Sequence, residues 1–197
     1  MLVVIDSGLG NLFSVEAALR RLGAEPLRTD DPALIAKADR VIFPGVGAAA
    51  PAMESLRAKG LVDVLRGLTK PMLGICLGMQ LMFEASDEGE GAACLGLLQG
   101  RVTLLPGLPS MPVPHMGWNQ IAVRDKNHPL LRGIEDGSWV YFVHSYAVEV
   151  CEATLATSTY SVPFTAAAGL GNFMGCQFHP ERSGEVGARV LKNFLEI

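Results

Sequence analysis

The 197-residue chain has no long apolar run, no cluster of basic residues and no closely spaced cysteines. Its apolar stretches stop far short of the roughly 20 residues that a membrane helix needs, so a soluble protein without membrane contact is expected. The formal net charge is −4, with Lys and Arg scattered along the chain. That leaves no footprint for nucleic acid or for a polybasic membrane contact. Cys76, Cys94, Cys151 and Cys176 include no CxxC pair. Neither a zinc site nor a disulfide framework is suggested, and no metal or cofactor is expected. The opening "MLVVID" has no basic leader and reaches Asp6 after four apolar residues. No signal peptide is therefore expected, and the cytoplasm is the expected compartment. No repeat, low-complexity linker or nucleotide-phosphate loop interrupts the chain. Only 18% of residues are charged and 49% are hydrophobic, a balance that favours a packed globule over disorder. One domain spanning 1–197 is expected, large enough to bury a core.

The first half of the chain alternates β-rich runs with helical patterns. "LVVID" (2–6), "EPLRT" (25–29), "RVIFPG" (40–45) and "PMLGI" (71–75) read as strands. Between them "NLFSVEAALRRL" (11–22) places apolar residues at 12, 15, 18, 19 and 22 on one helical face and stops at Gly23. "PALIAKA" (32–38), "APAMESLRAKGLVDVLRGL" (50–68) and "LGMQLMFEAS" (77–86) supply further helical material. After Gly91 the texture shifts to short strands and turns, and "SGEVGARVLKNFLEI" ends the chain as a helix. This order predicts an α/β fold, flavodoxin-like, with a mostly parallel sheet, helices on both faces and antiparallel strands added in the second half.

Chemistry concentrates at "GICLGMQ" (74–80), where Cys76 ends a buried strand and opens a helix between Gly74 and Gly78. Such a corner is a nucleophile elbow: glycines permit the sharp turn, helix amides favour a thiolate, and the N–H of Leu77 points at a developing oxyanion. A small core cysteine is the plain alternative. The best base is His179 in "GCQFHPERS", with Glu181 two residues on to orient its imidazole across the turn at Pro180. His128 reads as a surface turn, His115 lies in the Pro-rich "SMPVPHMGWN", and His144 reads as a pocket wall. Gln80, one helical turn beyond Cys76, reaches the same pocket mouth. Met79, Leu81, Met82 and Phe83 read as core.

"PGVG" (44–47), "GICLGMQ" (74–80) and "HPE" (179–181), in this order and spacing, resemble the class I, triad-type glutamine amidotransferases. Within that group "PHMGWN" (114–119), "YFVHSY" (141–146) and "GNL" (10–12) resemble the glutaminase subunits of imidazole glycerol phosphate synthases. The resemblance implies that Cys76, His179 and Glu181 hydrolyse L-glutamine to glutamate and ammonia. It implies an oxyanion hole from the N–H groups of Val46 and Leu77, with Gly45 and Gly47 letting the Val46 peptide turn over. It assigns glutamine binding to Gly47, Gln80, His144, Ser145 and Tyr146. It turns Asn11, Trp118, Tyr141 and Arg182 toward a partner, a (β/α)₈ cyclase subunit that forms a heterodimer with the chain. There ammonia meets the nucleotide intermediate PRFAR, giving imidazole glycerol phosphate and AICAR in histidine biosynthesis. Arg182 stands where lysine is more usual, and Ser7 where an aromatic is frequent. A glutaminase serving another acceptor, a cysteine peptidase or γ-glutamyl hydrolase with the same triad, and a silent subunit are the competing readings.

Overall fold

The structure, a computed structural model, describes residues 1–8 and 12–197. Strand β1 (Leu2–Ile5) leads through α1 (Leu12–Arg21) to β2 (Pro26–Thr29) and through α2 (Pro32–Ala36) to β3 (Arg40–Gly45). Helices α3 (Ala49–Ala58) and α4 (Leu61–Arg66) carry the chain to β4 (Met72–Cys76), which runs directly into α5 (Leu77–Gln80). The short strands β5 (Ala85–Ser86), β6 (Ala92–Ala93) and β7 (Arg101–Leu104) follow. Then come β8 (His115–Val123), β9 (Ser138–His144), β10 (Tyr146–Val148), β11 (Thr154–Tyr160), β12 (Val162–Leu170), β13 (Phe173–Cys176) and α6 (Gly184–Glu196).

Nine strands form one mixed sheet in the order β2-β1-β3-β4-β13-β12-β11-β8-β9. Pairing is parallel from β2 across to β13 and antiparallel from β13 to β9. The expected parallel block with an antiparallel extension is what forms. A second sheet, β10-β7-β5-β6, lies apart from it. Alternation along the strands divides the core. Val4, Ile42, Leu73 and Ile75 pack with Val15 and Leu19 of α1 and Val190, Leu191 and Phe194 of α6. Val3, Ile5, Val41, Phe43 and Met72 pack with Ile35 of α2, Met53 and Leu56 of α3 and Leu61 and Leu65 of α4. Burying each such side chain is worth roughly 1.5–3 kcal/mol. The consequence is that β4, buried along its whole length, is held from both faces.

Two expected elements are corrected. The helix read over 77–86 is a single turn, α5. Beyond it the carbonyls of Leu81, Met82 and Phe83 accept from the N–H groups of Leu95, Leu97, Leu98 and Gly96 instead of from a following helical turn. The run "WVYFVHSY" (139–146), one of the strands expected after Gly91, divides at Ser145: β9 belongs to the large sheet and β10 to the small one. That change of sheet lies beside the end of β4, because the side chain of Gln80 bonds to Tyr146 O. The helical material of 50–68 forms two helices, divided where Gly60 takes φ 66°.

Candidate active site

Strand β4 delivers Cys76 at a strained corner, with φ 55° and ψ −113°. A non-glycine residue held there costs on the order of 1–3 kcal/mol, which the surrounding packing must offset. That packing leaves no room for side chains at the flanking glycines. A Cβ on Gly78 would stand 1.8 Å from Phe43 O, and one on Gly74 would stand 2.7 Å from Met79 N. Gly45 is paired with Cys76 across β3 and β4, and a Cβ there would lie 3.1 Å from Gly78 N. Gly47 differs: it has φ +97° and open space around it.

His179 reaches the corner from the neighbouring strand. Its backbone is tied to β9 by His179 N donating to Tyr141 O at 2.9 Å, and Ser183 Oγ donates to His179 O at 2.7 Å. Its Nδ1 lies 2.8 Å from Glu181 Oε1, and the two side chains are only 8% and 4% exposed. A carboxylate accepts, so Nδ1 carries a proton and the tautomer is fixed. Nε2 of His179 and Oε2 of Glu181 are buried without hydrogen-bond partners. Burial works against the imidazolium, yet Cys76 and Glu181 outweigh it and raise the His179 pKa to about 10. Nε2 itself closes no hydrogen bond. Cys76 Sγ instead contacts Val143 O at 3.8 Å and accepts from Gln177 Nε2 at 3.6 Å.

In front of Cys76 opens a cavity of about 410 Å³. Of the residues expected there, Val46, Gly47, Leu77, Gln80, His144, Ser145, Tyr146 and His179 all line it. Glu181 does not; it stands behind His179 and lines a smaller adjoining space. Gln80 braces the wall: its Nε2 donates to Tyr146 O and to Gln177 Oε1, each at 2.9 Å. His144 is a neutral wall residue, its pKa pushed to about 4 mainly by burial. His115, expected in a Pro-rich loop, starts β8 and is buried against His144. His128 caps a turn by accepting from Leu130 N at 3.2 Å. Met79, Leu81, Met82 and Phe83 are core, as expected.

Glu88, also in the cavity wall, was not legible in the sequence. It sits in "SDEGEG" among other acids, and only the bond from Ala49 N to its carboxylate at 2.9 Å draws it inward. Among the described residues no three His, Cys, Asp or Glu side chains converge as a metal ion requires.

Above the cavity the β8–β9 hairpin shows an apolar outer face. Met116, Trp118 and Trp139 are 61%, 54% and 53% exposed. Strand register sets Met116 opposite Val143 and Trp118 opposite Tyr141. The Tyr141 ring meets Trp118 edge-on at 6.0 Å, and the Arg182 guanidinium lies 6.0 Å from the Tyr141 centroid. Trp139 is an addition whose signal was present: in "SWVYFVH" it shares the face of Tyr141 by strand alternation. Asn11 lies outside the described residues.

Residues 3–197 match the sequence family described as glutamine amidotransferase class-I. The chain is 49% identical to the imidazole glycerol phosphate synthase subunit HisH of Yersinia pseudotuberculosis, over 99% of this chain and 98% of that protein. It is 50% identical to the subunit of the same name from Mannheimia succiniciproducens, over 99% of each. A crystal structure of a glutamine amidotransferase superposes with a TM-score of 0.75 at 19% identity, covering 98% of this chain and 97% of that one, a likeness of fold.

Proposed function

This chain belongs to the class-I glutamine amidotransferases, in the family of imidazole glycerol phosphate synthase HisH subunits, and we propose that Cys76, His179 and Glu181 form its glutaminase triad. One arrangement carries this reading: a cysteine at a strained strand end, facing a cavity, beside a buried histidine whose far nitrogen is held by a carboxylate. The Cys76 thiolate attacks the side-chain carbonyl of L-glutamine. His179, charged and oriented by Glu181, gives its proton to the departing nitrogen, and ammonia leaves. The neutral imidazole then takes a proton from water as it attacks the thioester, releasing glutamate and restoring the pair.

The oxyanion that forms twice along this path needs two N–H donors. Leu77, first residue of α5, and Val46, at the loop between β3 and α3, are the residues assigned to it. The Val46 N–H lies in the Gly45–Val46 peptide, which turns about the backbone bonds of Gly45 and Val46; Gly47, with open space at φ +97°, lets the loop beyond it follow. Glutamine lies along Gly47, His144, Ser145 and Tyr146, with Gln80 bracing the wall. The Glu88 carboxylate is suited to the substrate ammonium.

Ammonia released into water is protonated and lost, so the product has value only beside an acceptor. We assign the outer face of β8–β9, with Trp118, Tyr141, Trp139 and Arg182, to a (β/α)₈ cyclase subunit that consumes ammonia with PRFAR, in histidine biosynthesis and in the cytoplasm. Among the described residues no helix is long and apolar enough to cross a membrane. Titrating the chain with the cyclase subunit and following glutamate release tests the assignment. Saturable stimulation with one-to-one stoichiometry is expected; no complex, or stimulation unaffected by Trp118→Ala, opposes it.

A further inference from the structure

Two runs of hydrogen bonds, one from the β8–β9 hairpin and one leading to the Cys76 sulfur, meet at one backbone carbonyl, which sets the direction of each. Tyr146 O can only accept, so His144 Nδ1, 2.9 Å away, carries the proton. His144 is neutral, which leaves its Nε2 bare. His115 Nδ1, 3.0 Å from that nitrogen, must therefore donate. His115 Nε2 is then bare in turn and accepts from Asn119 Nδ2 at 3.3 Å, the same amide that donates to Thr159 O at 3.0 Å. On the other side of Tyr146 O, the group facing it must be the NH₂ of Gln80, which also donates to Gln177 Oε1. That fixes the Gln177 amide with its NH₂ toward Cys76 Sγ, at 3.6 Å.

His115, His144, Gln80 and Gln177 are all buried, and the His115 ring is stacked between Phe142 at 4.8 Å and Tyr160 at 4.1 Å. An N–H aimed at the sulfur stabilises a thiolate. The carbonyl of Val143, 3.8 Å from Sγ on its other side, accepts only from the thiol. Two neighbours thus favour opposite protonation states, and Val143 belongs to the partner-facing hairpin.

We propose that Gln177 is an N–H donor to the Cys76 thiolate, and that Gln80 is a positioning residue that holds its amide in the donating orientation. The proposal rests on Cys76 being the nucleophile. The other titratable groups around Cys76 are His179 and Glu181 from the turn after β13, His144 from β9, Tyr146 from β10, Cys176 on β13, and Glu88 across the cavity. The variants at Gln177 leave all of them in place.

The test is the pH profile of Cys76 alkylation by iodoacetamide in the full chain, read by mass spectrometry of the Cys76 peptide, with no turnover of glutamine required. Gln177→Met keeps the bulk and removes the donor. The acid limb of the profile is expected to move up by about one pH unit, so that alkylation along that limb slows about tenfold, with the alkaline plateau unchanged. Gln177→Glu shifts the profile further in the same direction. His115→Phe, on the other run, keeps the ring stack, leaves His144 Nε2 without its donor, and is expected to leave the profile as it is. A profile identical to wild type in Gln177→Met, or a loss equal at every pH including the plateau, overturns the proposal. Thermal unfolding checks that each variant is folded, and if Gln177→Met is not, Gln177→Glu carries the same test. A shifted profile in a chain that releases no glutamate beside the cyclase leaves the Gln177 donor standing and refutes the glutaminase reading.

Discussion

Two strand ends meet at the cavity, and they are built on opposite terms. Strand β4 is buried along its length, and its corner is packed so closely that a single added Cβ at Gly78 would lie 1.8 Å from the next strand's carbonyl. The β8–β9 hairpin is buried on one face, where His115 and His144 pack, and carries Met116, Trp118 and Trp139 exposed on the other. The difference separates two demands. The nucleophile needs a position fixed within a fraction of an ångström, which dense packing on both sides provides. Docking needs a free apolar surface, and only a sheet edge with one solvated face supplies it next to the site.

Changes at the two ends should therefore fail differently. Cys76→Ala removes the nucleophile and is expected to lower glutamate release at least about 10³-fold beside the partner, with an unfolding midpoint close to wild type. Gly78→Ala should instead act on the fold, lowering unfolding free energy by about 3 kcal/mol or more in denaturant titration, because the clash is with backbone. Trp118→Ala should do the reverse. Its effect on stability is expected within about 0.5 kcal/mol, whereas affinity for the cyclase subunit, measured by calorimetry, weakens by about 2 kcal/mol. Gly47→Ala, strained only by its positive φ, is expected to cost about 1 kcal/mol in the same titration.

The pH dependence of stability sharpens the same contrast. His115 and His144 in the hairpin have pKa values pushed to about 4 by burial, below the roughly 6.5 of the unfolded chain. The unfolded state then binds more protons between these values, so their contribution is full above about pH 6.5 and is lost as pH falls toward 4. His179 is raised to about 10, so its contribution is full below about pH 6.5 and is lost as pH rises toward 10. Denaturant midpoints across pH should peak near about pH 6.5. His115→Phe should make the acid limb shallower and leave the alkaline limb as it is; an unchanged acid limb would count against the buried neutral pair.

Legibility in the sequence follows the same division. The parallel block was readable because strands buried on both faces are continuous apolar runs set off by Gly and Pro. The proposed triad of Cys76, His179 and Glu181 could be put forward from the sequence because the elbow's glycines and the turn at Pro180 are local signals. The helix expected over 77–86 failed because residues 94–98 supply the N–H groups its carbonyls use. The His115–His144 contact spans 29 residues and depends on the β8–β9 register. Gln177 and Glu88 gain meaning only from partners 101 and 39 residues away. Such pairings are tertiary facts with no local trace.

The most direct measurement is glutamate release from L-glutamine by the purified chain, alone and with the cyclase subunit carrying its nucleotide ligand, with Cys76→Ala as control. The account predicts low release alone, strong stimulation by the loaded partner, and none in the variant. Full release without the partner, or release that survives Cys76→Ala, would contradict it.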